Sequence, residues 1–565
     1  MKGWLYCENL RCNFGEKGQG TIEKSGEGLL YTNLLDKFYH DTIKCKDGFL
    51  LDGYISNKNE LFRENGIKDW EKLYRVLCKD DAFPDQLRGG FSGSYYNEDG
   101  GKVFFVDHLG SKPLFYCSLK DKFVISSNLG WVIEILTENK IQYHFNELAA
   151  KYMLTYGYML DDTTFICEIK RVLPGNKIVV KEENCDIIQY YCPTITHPQN
   201  MTEDEAVYMI DKAFRKAVKR EFDKDREYGY EHLVDLSGGL DSRMVAWVAH
   251  EMGYTKQTNY TYCKAKYLDF KISSRIASDL QHEYYFKQLD DFQWIYEIED
   301  NLKLNNGSAL FCAITGGRDC LANFDKKRYG IEHTGMLGDV IISCFAEDEQ
   351  NACKAPGFGS NQYSTLLSYD FSQELLDKYE NQEIFDVYTR GFLGTMSTYP
   401  IRQNYFEVGS PFLDVDFIEA CFSVPVKYRK NHNIYLKWMK QFYKRATKYG
   451  WEKWAGIPPK KELGLVRDGM FAIRKVRRMV RSLCGYAIND TMNPIDFWYA
   501  KDEKTQNFFE SYFNKNINNA CISQELREDI TRLFKEGSAD EKMQAITVLG
   551  MLQLYFSGDE KWKRI

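Results

Sequence analysis

The sequence lacks the features expected of a membrane-spanning protein, a secreted protein or a nucleic-acid binder. Among its 565 residues, no apolar run approaches the ~18 residues that a membrane-spanning helix needs. The first residues, Met1 to Glu8, contain no long apolar core and are unlike a secretory signal. Because 81 Asp and Glu outnumber 74 Lys and Arg, the formal net charge of −7 argues against general nucleic-acid binding.

Closely spaced cysteine pairs are also missing. The 16 cysteines include no C-x-x-C pair, and the shortest spacings are Cys7/Cys12 and Cys185/Cys192. Zinc sites usually place their cysteines closer, and disulfide scaffolds are small secreted chains. We therefore expect free thiols in a reducing cytoplasm, with a catalytic or metal role for one cysteine as the alternative.

The composition that remains is that of a globular chain with large cores. Hydrophobic residues make up 44% and charged residues 27% of the sequence, so the chain is not disordered. Short strands and turns dominate the part before Tyr191, and a Gly-rich turn at 97–101 is typical of a hairpin. The strands predicted there are Gly89–Tyr96, Lys102–Val106, Leu114–Cys117 and Phe123–Ser126.

A domain boundary is expected between Tyr191 and Thr202, in a polar stretch with two prolines. Thr202 and Glu205 then form a capping-box pattern that predicts the start of a helix. Strands and helices alternate beyond it, which predicts a parallel, doubly wound sheet. The predicted elements are a strand at His232–Leu236, a helix carrying Met244 and Val248, a strand at Tyr260–Cys263 and a helix at Ile272–Leu280, followed beyond about residue 365 by mostly helical sequence.

One motif carries a chemical function. Leu236 ends the predicted strand, and Ser237-Gly238-Gly239-Leu240-Asp241-Ser242 lead into the predicted helix. Glycines let several N–H groups point into one concavity, and a helix N-terminus adds partial positive charge, so the pattern predicts a phosphate site. The Asp241 carboxylate would repel a bare phosphate unless a divalent cation lies between them.

A Gly-rich strand-to-helix turn without any ligand is the alternative interpretation of this motif. Five fixed residues in the order S-G-G-x-D-S arise by chance in such a chain on the order of once in a thousand, using average residue frequencies. The Lys of a G-x-x-x-x-G-K-[ST] loop is absent, so the motif is not a kinase-like P-loop. A phosphate site with a bound divalent cation is therefore the preferred prediction.

At this point the chain resembles the asparagine synthetase family, a branch of the ATP pyrophosphatase group whose pyrophosphate loop is S-G-G-x-D-S. Four further segments carry the likeness, in the family's order and with its spacing over residues 1–465. They are Asp107–Tyr116 (D-x-x-G-x-x-P-L-Y-Y in the family), Val172–Gly175 (L-x-P-G), Thr334–Asp339 (S-G-x-G-S-D) and Glu407–Asp414 (E-x-R-x-P-F-L-D, with Gly409 in place of Arg).

The resemblance implies a two-domain protein of α/β and α+β class. Residues 1–190 would form a degenerate class II glutamine amidotransferase-like domain, an Ntn-type αββα sandwich. Residues 200–465 would form the ATP pyrophosphatase domain, a doubly wound parallel sheet like that of adenine nucleotide α-hydrolases. Residues 466–565 would be a helical C-terminal extension, with a weak likeness to asparagine synthetase-like proteins of bacterial surface-glycan gene clusters.

The departures from the family pattern lie in the first domain. Glutamine-hydrolysing members use a cysteine at position 2 as the nucleophile, and Lys2 stands there. The glutamine-binding segment N-G-E-I-Y-N appears with Asp52 and Tyr54 in place of its first Asn and its Glu. The resemblance therefore implies that glutamine hydrolysis is lost. Cys7 as a displaced nucleophile, exposed by cleavage after residue 6, is the alternative.

In the second domain the resemblance implies a full nucleotide site that uses ATP and Mg²⁺. Such a site adenylates a carboxylate and then forms an amide with release of AMP. Asp241 and Asp339 would hold Mg²⁺. Contacts to the nucleotide would come from Leu236, at the adenine, and from Ser237, Gly238, Gly239, Asp241, Ser242, Thr334 and Gly335.

Two catalytic residues are predicted outside the loops. Lys461, or Lys460 as the alternative, would stabilise charge at the α-phosphate. Glu407 would support the site or orient the amine, and the alternative is an ion pair with an arginine such as Arg402. Met336 stands where asparagine synthetases carry Glu, and a thioether cannot bind an ammonium, so a carboxylic acid other than aspartate is expected.

Arg474–Arg481 carries five cations around one apolar helical face. It predicts a solvated face of a packing helix or a dock for an acidic partner, which could be a precursor peptide, a lipid-linked sugar or an anionic membrane. The resulting prediction is a cytoplasmic amide synthetase. A homodimer is one oligomeric state that it could adopt. It would use ammonia or an amine and a small-molecule or peptide carboxylate. The rival predictions are a glutamine-hydrolysing asparagine synthetase, a peptide macrolactam synthetase and a non-catalytic scaffold.

Overall fold

Three β-sheets organise the protein, as seen in a computed structural model that describes residues 1–14, 20–182, 184–196, 201–346, 364–367, 369, 372–483 and 490–557. Two sheets are antiparallel and six-stranded, with the orders β10-β8-β9-β1-β3-β2 and β12-β11-β7-β6-β5-β4. The third is parallel and five-stranded, in the order β15-β14-β13-β16-β17. Its strands are β13 (Glu231–Asp235), β14 (Gln257–Cys263), β15 (Glu283–Gln288), β16 (Tyr329–His333) and β17 (Glu407–Gly409).

The first twelve strands lie before residue 190. They are β1 (Gly3–Glu8), β2 (Thr21–Ser25), β3 (Gly28–Asn33), β4 (Ile43–Lys44), β5 (Leu50–Ile55), β6 (Gly89–Tyr96), β7 (Lys102–Val106), β8 (Phe115–Leu119), β9 (Lys122–Ser126), β10 (Lys170–Arg171), β11 (Asn176–Lys181) and β12 (Asn184–Gln189).

The α-helices become longer and more frequent after residue 200. They are α1 (Lys58–Asn65), α2 (Trp70–Leu77), α3 (Leu129–Glu138), α4 (Glu147–Tyr156), α5 (Glu203–Glu227), α6 (Asp241–Glu251), α7 (Leu268–Leu280), α8 (Ile298–Asn305), α9 (Gly317–Ala322), α10 (Gln373–Asp377), α11 (Gln382–Asp386), α12 (Tyr399–Arg402), α13 (Val415–Phe422), α14 (Val426–Arg429), α15 (Asn433–Phe442), α16 (Gly464–Leu483), α17 (Ile495–Lys501), α18 (Glu503–Asn516), α19 (Gln524–Glu536) and α20 (Ala539–Tyr555). Two π-helical segments lie at Val340–Cys344 and Val387–Gly394.

The N-terminal part is the predicted four-layer αββα sandwich. Alternate residues of each strand face opposite sides, so one set fills the space between the two antiparallel sheets, including Trp4, Leu30 and Phe104. The outer face of the second sheet packs on α1 and α2 through residues such as Leu61 and Leu73. The predicted strand Lys102–Val106 is confirmed.

The parallel sheet of the second part is confirmed as well. The capping box predicted at Thr202 and Glu205 begins α5, and α5, α6 and α7 cover one face of the sheet. A smaller cluster that includes Leu233 and Tyr260 covers the other face. No helix among the described residues is long and apolar enough to cross a membrane. The described cysteines are all free thiols.

The helices that follow residue 494 pack on the first domain, a placement that the sequence did not indicate. Helices α19 and α20 lie against α4, and α20 also lies against α8. The buried Gln544 side chain donates to the carbonyls of Met153 and Leu154, at 3.2 and 3.1 Å. The C-terminal extension therefore shares one hydrophobic core with α3 and α4.

Buried ion pairs join the two domains along α5. Lys224 of this helix contacts Asp41 of the first domain at 3.0 Å, and both side chains are buried. Arg220 contacts Glu60 at 2.6 Å, and its other donors bind Asp414 and Asp416. Removing one partner of a buried pair leaves a charge uncompensated, so such pairs fix the relative position of the domains.

His333, the last residue of β16, ties the parallel sheet to α5. Its Nδ1 lies 2.6 Å from the Glu221 carboxylate and its Nε2 lies 2.8 Å from that of Asp225. Burial alone would lower the pKa of this imidazole, but the two carboxylates raise it to about 9. His333 is therefore a buried imidazolium, and the residue is held on both sides immediately before the loop at Thr334.

This shift predicts how stability depends on pH. The unfolded pKa of His333 is ~6.5 and the folded pKa is about 9, so its contribution to stability is complete below pH ~6.5 and is lost as the pH rises through 9. We expect His333→Gln to lower the midpoint of thermal unfolding strongly at pH 6 and much less at pH 9.5. Replacing the exposed His40 by Gln should produce no such pH-dependent difference. An equal loss for His333→Gln at both pH values would contradict this assignment.

Candidate active site

The Gly-rich loop between β13 and α6 is shaped by its own serines. The Ser242 hydroxyl accepts from the Ser237 N–H at 2.9 Å, and the Ser237 hydroxyl accepts from the Gly239 N–H at 3.1 Å. Gly238 donates its N–H to Asp269 Oδ1 at 2.8 Å. Helix α6 begins without a side-chain cap, so N–H groups of its first turn are oriented toward an incoming anion.

The second predicted loop, Thr334–Asp339, lies directly against the first. It follows β16, which pairs with β13 in parallel, so both loops emerge at the same edge of the sheet. A Cβ on Gly335 would lie 2.2 Å from the Ser242 nitrogen, and one on Gly338 would lie 2.7 Å from Asp241 Cγ. Both positions require glycine because the two loops touch there.

The two predicted metal ligands, Asp241 and Asp339, lie close enough to interact electrostatically where these loops meet. The pKa of Asp241 is raised to about 8, mainly by burial and then by the charge of Asp339. The Tyr435 hydroxyl donates to Asp241 Oδ1 at 2.6 Å. Two carboxylates that repel each other beside a helix N-terminus offer the oxygen ligands that Mg²⁺ prefers, so these residues fit that ion.

Two more carboxyl groups with raised pKa values border the Gly-rich loop. Burial is the main cause for both, and the pKa is raised to about 7 for Asp235 and to about 6 for Asp269. Asp235 ends β13, and Asp269 lies in the first turn of α7. Clustered groups with perturbed pKa values mark candidate functional sites. Neither residue was singled out from the sequence.

Arg243 was also not identified from the sequence, and it supports the Gly-rich loop through hydrogen bonds to backbone carbonyls. Arg243 is fully buried, and its guanidinium donates to the carbonyls of Gly238 and Ala446 at 3.2 Å each. Its other contacts are to the carbonyls of Tyr449 and Gly450. Arg243 follows the motif directly, yet an arginine at this position gives no sequence signal of burial.

A different lysine from the predicted one lies beside the metal-ligand pair. Lys453 Nζ lies 3.9 Å from Asp339 Oδ2 and 3.1 Å from His432 Nε2. Lys461 opens a short 3₁₀-helix, Lys461–Leu463, and its side chain lies outside the described part of the chain. The alternative, Lys460, is exposed. The predicted role of Lys461 therefore stays a prediction, and Lys453 is an additional candidate.

Leu236 and Thr334, which were also predicted to contact the nucleotide, lie at the same edge of the parallel sheet. Both side chains are buried and contact other residues of the protein. Leu236 is fully buried in the core under the loop. The Thr334 hydroxyl donates to the Gly409 carbonyl at 3.0 Å. Met336 is partly buried, and its carbonyl accepts from the Ser410 hydroxyl at 3.1 Å. The roles of these residues toward a nucleotide or a carboxylic acid stay predictions.

Glu407 lies at the domain interface. It pairs in register with Ile331, two positions before the end of β16, and its Oε1 accepts from Lys112 Nζ at 2.8 Å. The alternative, a structural ion pair, is present, but its partner is Lys112 and not Arg402, which binds the buried Glu332 carboxylate instead. The partner of Glu407 is thus a lysine of the first domain. A role of Glu407 in catalysis stays a prediction.

The predicted glutamine-binding positions of the first domain are filled by the protein's own contacts. Lys112 Nζ lies 3.3 Å from Asp52 Oδ2, and the lysine is buried between Asp52 and Glu407. Tyr54 is buried, and its hydroxyl lies 3.3 Å from the Val408 carbonyl across the domain interface. Lys2 is exposed and donates to Asn33 Oδ1 at 3.1 Å. A small cavity lined by Met1, Lys2, Asp52 and Lys112 remains there.

Cys7 has no access to a substrate in this fold. It lies within β1, is 1% exposed and pairs with Leu29 and Val124 of the neighbouring strands. Its pKa is raised, chiefly by a hydrogen bond to Cys12 and by burial. A thiol in this environment is a poor nucleophile, which disfavours the alternative of a displaced catalytic cysteine.

Comparisons with known proteins agree with this two-part architecture. A glutamine amidotransferase domain family matches residues 57–191, and an asparagine synthase family matches residues 209–303. The two matched segments place an amidotransferase-like domain before an asparagine synthase-like one, in the order in which the antiparallel sheets precede the parallel sheet. These matches support a distant relationship between the chain and the asparagine synthetase family.

Two curated relatives come from Methanocaldococcus jannaschii. The chain is 21% identical over 361 residues to "Putative asparagine synthetase [glutamine-hydrolyzing] 1", covering 61% of this chain and 58% of that protein. It is 24% identical over 246 residues to the protein of the same name numbered 2, covering 40% and 45%. The chain thus matches less than two thirds of the length of either relative.

Two solved structures resemble part of the chain. A glutamine phosphoribosylpyrophosphate amidotransferase from B. subtilis, complexed with ADP and GMP, has 10% identity and a TM-score of 0.24, covering 51% of this chain and 91% of that chain. An allosteric regulatory enzyme of purine biosynthesis has 12% identity and a TM-score of 0.21, covering 50% and 74%. TM-scores this low support no conclusion about shared function.

Proposed function

We propose that this protein is an ATP-dependent, AMP-forming amide-bond synthetase that works without hydrolysing glutamine. The observation that carries the proposal is the pair Asp241 and Asp339, whose charges interact beside the uncapped N-terminus of α6. An uncapped helix N-terminus favours phosphate, and two repelling carboxylates favour a divalent cation. Mg²⁺–triphosphate satisfies both requirements at once.

The reaction has two steps. A carboxylate oxygen of the substrate attacks the α-phosphorus of ATP, and the bond to the bridging oxygen breaks, which gives an acyl-adenylate and pyrophosphate. An amine then attacks the acyl carbon, loses a proton, and displaces AMP to give the amide. Bound Mg²⁺ neutralises charge on the triphosphate.

The residues of the chain position these groups. Asp241 and Asp339 would hold the ion, while Ser237–Ser242 would cradle the β- and γ-phosphates that leave together. Tyr435 fixes the orientation of the Asp241 carboxylate through its hydrogen bond. Lys453, next to Asp339, would oppose the charge of the phosphates, as would Lys461. Catalysis by such a site comes mainly from positioning and charge stabilisation.

The nitrogen source in this proposal is ammonia or an amine. Support comes from the first domain, where Lys2 replaces a nucleophilic cysteine and the charge of Asp52 is paired with Lys112. The buried Tyr54 lies against β17, so no acidic side chain remains at that position to bind the amino group of glutamine. Three classes of carboxylate substrate are compatible with this proposal: a sugar acid, a peptide carboxylate and an amino acid. If the amine and the carboxylate belong to the same peptide, the enzyme is a macrolactam synthetase.

To test the nitrogen source, AMP and glutamate formation are measured with different nitrogen donors. Each donor is combined with a panel of carboxylic acids that includes aspartate, uronic acids and acidic peptides. We expect AMP to form with ammonium or an amine, and we expect glutamine alone to release no glutamate. The experiment compares ammonium with glutamine in an otherwise identical mixture. Glutamate release coupled to amide formation would instead establish a glutamine-hydrolysing enzyme. A protein that forms no AMP under any condition and does not bind ATP would favour a scaffold.

A further inference from the structure

Helix α16 (Gly464–Leu483) presents an apolar face to solvent. Of the sixteen large apolar side chains that are exposed in the described part of the chain, eight lie on this helix. Leu465 is 89% exposed and Ile473 is 61% exposed. Contiguous exposed apolar surface of this kind marks an interaction site. The eight are Leu465, Val466, Met470, Phe471, Ile473, Val476, Met479 and Val480.

Six of the eight apolar side chains are separated from the cations around the helix, and Met470 and Phe471 lie outside this apolar arc. At 100° per residue, positions 465, 466, 473, 476, 479 and 480 fall within one apolar arc, and positions 467, 474, 475 and 477 fall outside it. Lys475 and Arg477 are exposed. Only the part of the polar side opposite the apolar arc turns toward the protein, where the Arg467 guanidinium lies 4.8 Å from the centre of the Trp454 ring. Lys475 and Arg477 flank the apolar arc on its two sides.

We propose that α16 binds the surface of an anionic membrane, with its apolar face inserted at the level of the headgroups. A helix with a wide aliphatic face and a Lys- and Arg-rich polar side is the type that lies in a lipid interface. Its only acidic residue is Asp468, so the helix carries a local positive charge on a protein of net charge −7. Anionic lipids attract such cations.

Self-association through the same face is disfavoured by charge. Pairing two copies of α16 would bring Lys475 and Arg477 of both copies to the edges of one interface, with one aspartate per helix to offset them. Like charges at an interface oppose association. An anionic bilayer presents the opposite charge along both edges of the apolar face. The inference does not depend on the proposed enzymatic activity.

The test is co-flotation of the full-length protein with vesicles. We expect binding to vesicles of phosphatidylglycerol and phosphatidylcholine, at least tenfold weaker binding to phosphatidylcholine alone, and weaker binding as salt increases. Replacing Ile473 and Val476 by Asp should lower the partition coefficient at least tenfold. Replacing Lys475 and Arg477 by Gln should lower it about thirtyfold.

The matched control replaces Ile187 and Ile188, which are 51% and 43% exposed on β12, by Asp. It should bind vesicles like the unaltered protein, and circular dichroism should show that all variants are folded. The alternative is that the apolar face of α16 binds a second copy of the chain. Sedimentation velocity over a range of protein concentrations detects such a dimer. The proposal is overturned if the unaltered protein fails to bind anionic vesicles or if Ile473→Asp with Val476→Asp binds them normally. A dimer that these two substitutions dissociate, without vesicle binding, would also overturn it.

Discussion

Replacing Asp241 by asparagine is expected to lower the rate of AMP formation by a factor of about a hundred to a thousand, the usual cost of removing one charge-stabilising group from an active site. Asparagine has the same shape and can still accept from the Tyr435 hydroxyl. It has no charge with which to hold Mg²⁺ against a triphosphate. The loss should also appear as weaker binding of Mg²⁺–ATP, measured by isothermal titration calorimetry.

The same substitution should leave the fold intact. Burial and the neighbouring Asp339 raise the pKa of Asp241 to about 8, so a neutral side chain relieves repulsion in the metal-free protein. The thermal midpoint of Asp241→Asn without ligand should therefore equal or exceed that of the unaltered protein, while the stabilisation by Mg²⁺–ATP disappears. Asp211→Asn is the control, since Asp211 lies on α5, outside the two loops of the site, and accepts from Trp438 and Tyr443. Normal AMP formation by Asp241→Asn would refute the assignment of the site.

Replacing Lys112 by methionine is expected to destabilise the protein by about 3–5 kcal/mol, the cost of breaking a buried ion pair from one side. Burial acts to lower the pKa of this lysine, but the carboxylates of Asp52 and Glu407 raise it overall. Methionine keeps the length of the side chain and leaves both carboxylates buried without a cation. Urea unfolding followed by tryptophan fluorescence measures the change.

Two further variants separate this effect from a simple packing defect. Adding Asp52→Asn and Glu407→Gln to Lys112→Met removes the uncompensated charges and should restore most of the stability. Lys170→Met removes a lysine that is 54% exposed and pairs with Asp162, so it should change stability by less than about 1 kcal/mol. If Lys112→Met is no more destabilising than Lys170→Met, the interface does not depend on this charge.

The parts of the fold that depend on local pattern were predictable from the sequence. The hairpin strand Lys102–Val106, the capping box at Thr202 and the alternation that gives a parallel sheet all depend on residues within a few positions of one another. The αββα sandwich was expected from the family resemblance, and the structure confirms it. The family resemblance implied that Asp241 and Asp339 share one site, and in the structure their two loops touch at Gly335 and Gly338.

The parts that were missed depend on contacts between distant segments. Lys112 and Glu407 are 295 positions apart, and no periodicity in either segment indicates that they form a pair. Tyr435 reaches Asp241 from a helix that begins 192 residues later in the chain (433 − 241). The packing of α20 on α4 has the same origin, since an apolar helix face does not specify its partner.

The most direct measurement of the central claim is the exchange of labelled pyrophosphate into ATP by the unaltered protein, with Mg²⁺ and the panel of carboxylic acids. Exchange reports reversible formation of an acyl-adenylate and needs no nitrogen donor. We predict exchange that depends on one class of acid, is unaffected by glutamine and is lost in Asp241→Asn. Formation of ADP and phosphate instead of AMP, or ATP binding without exchange for any acid in the presence or absence of an amine, would contradict the account.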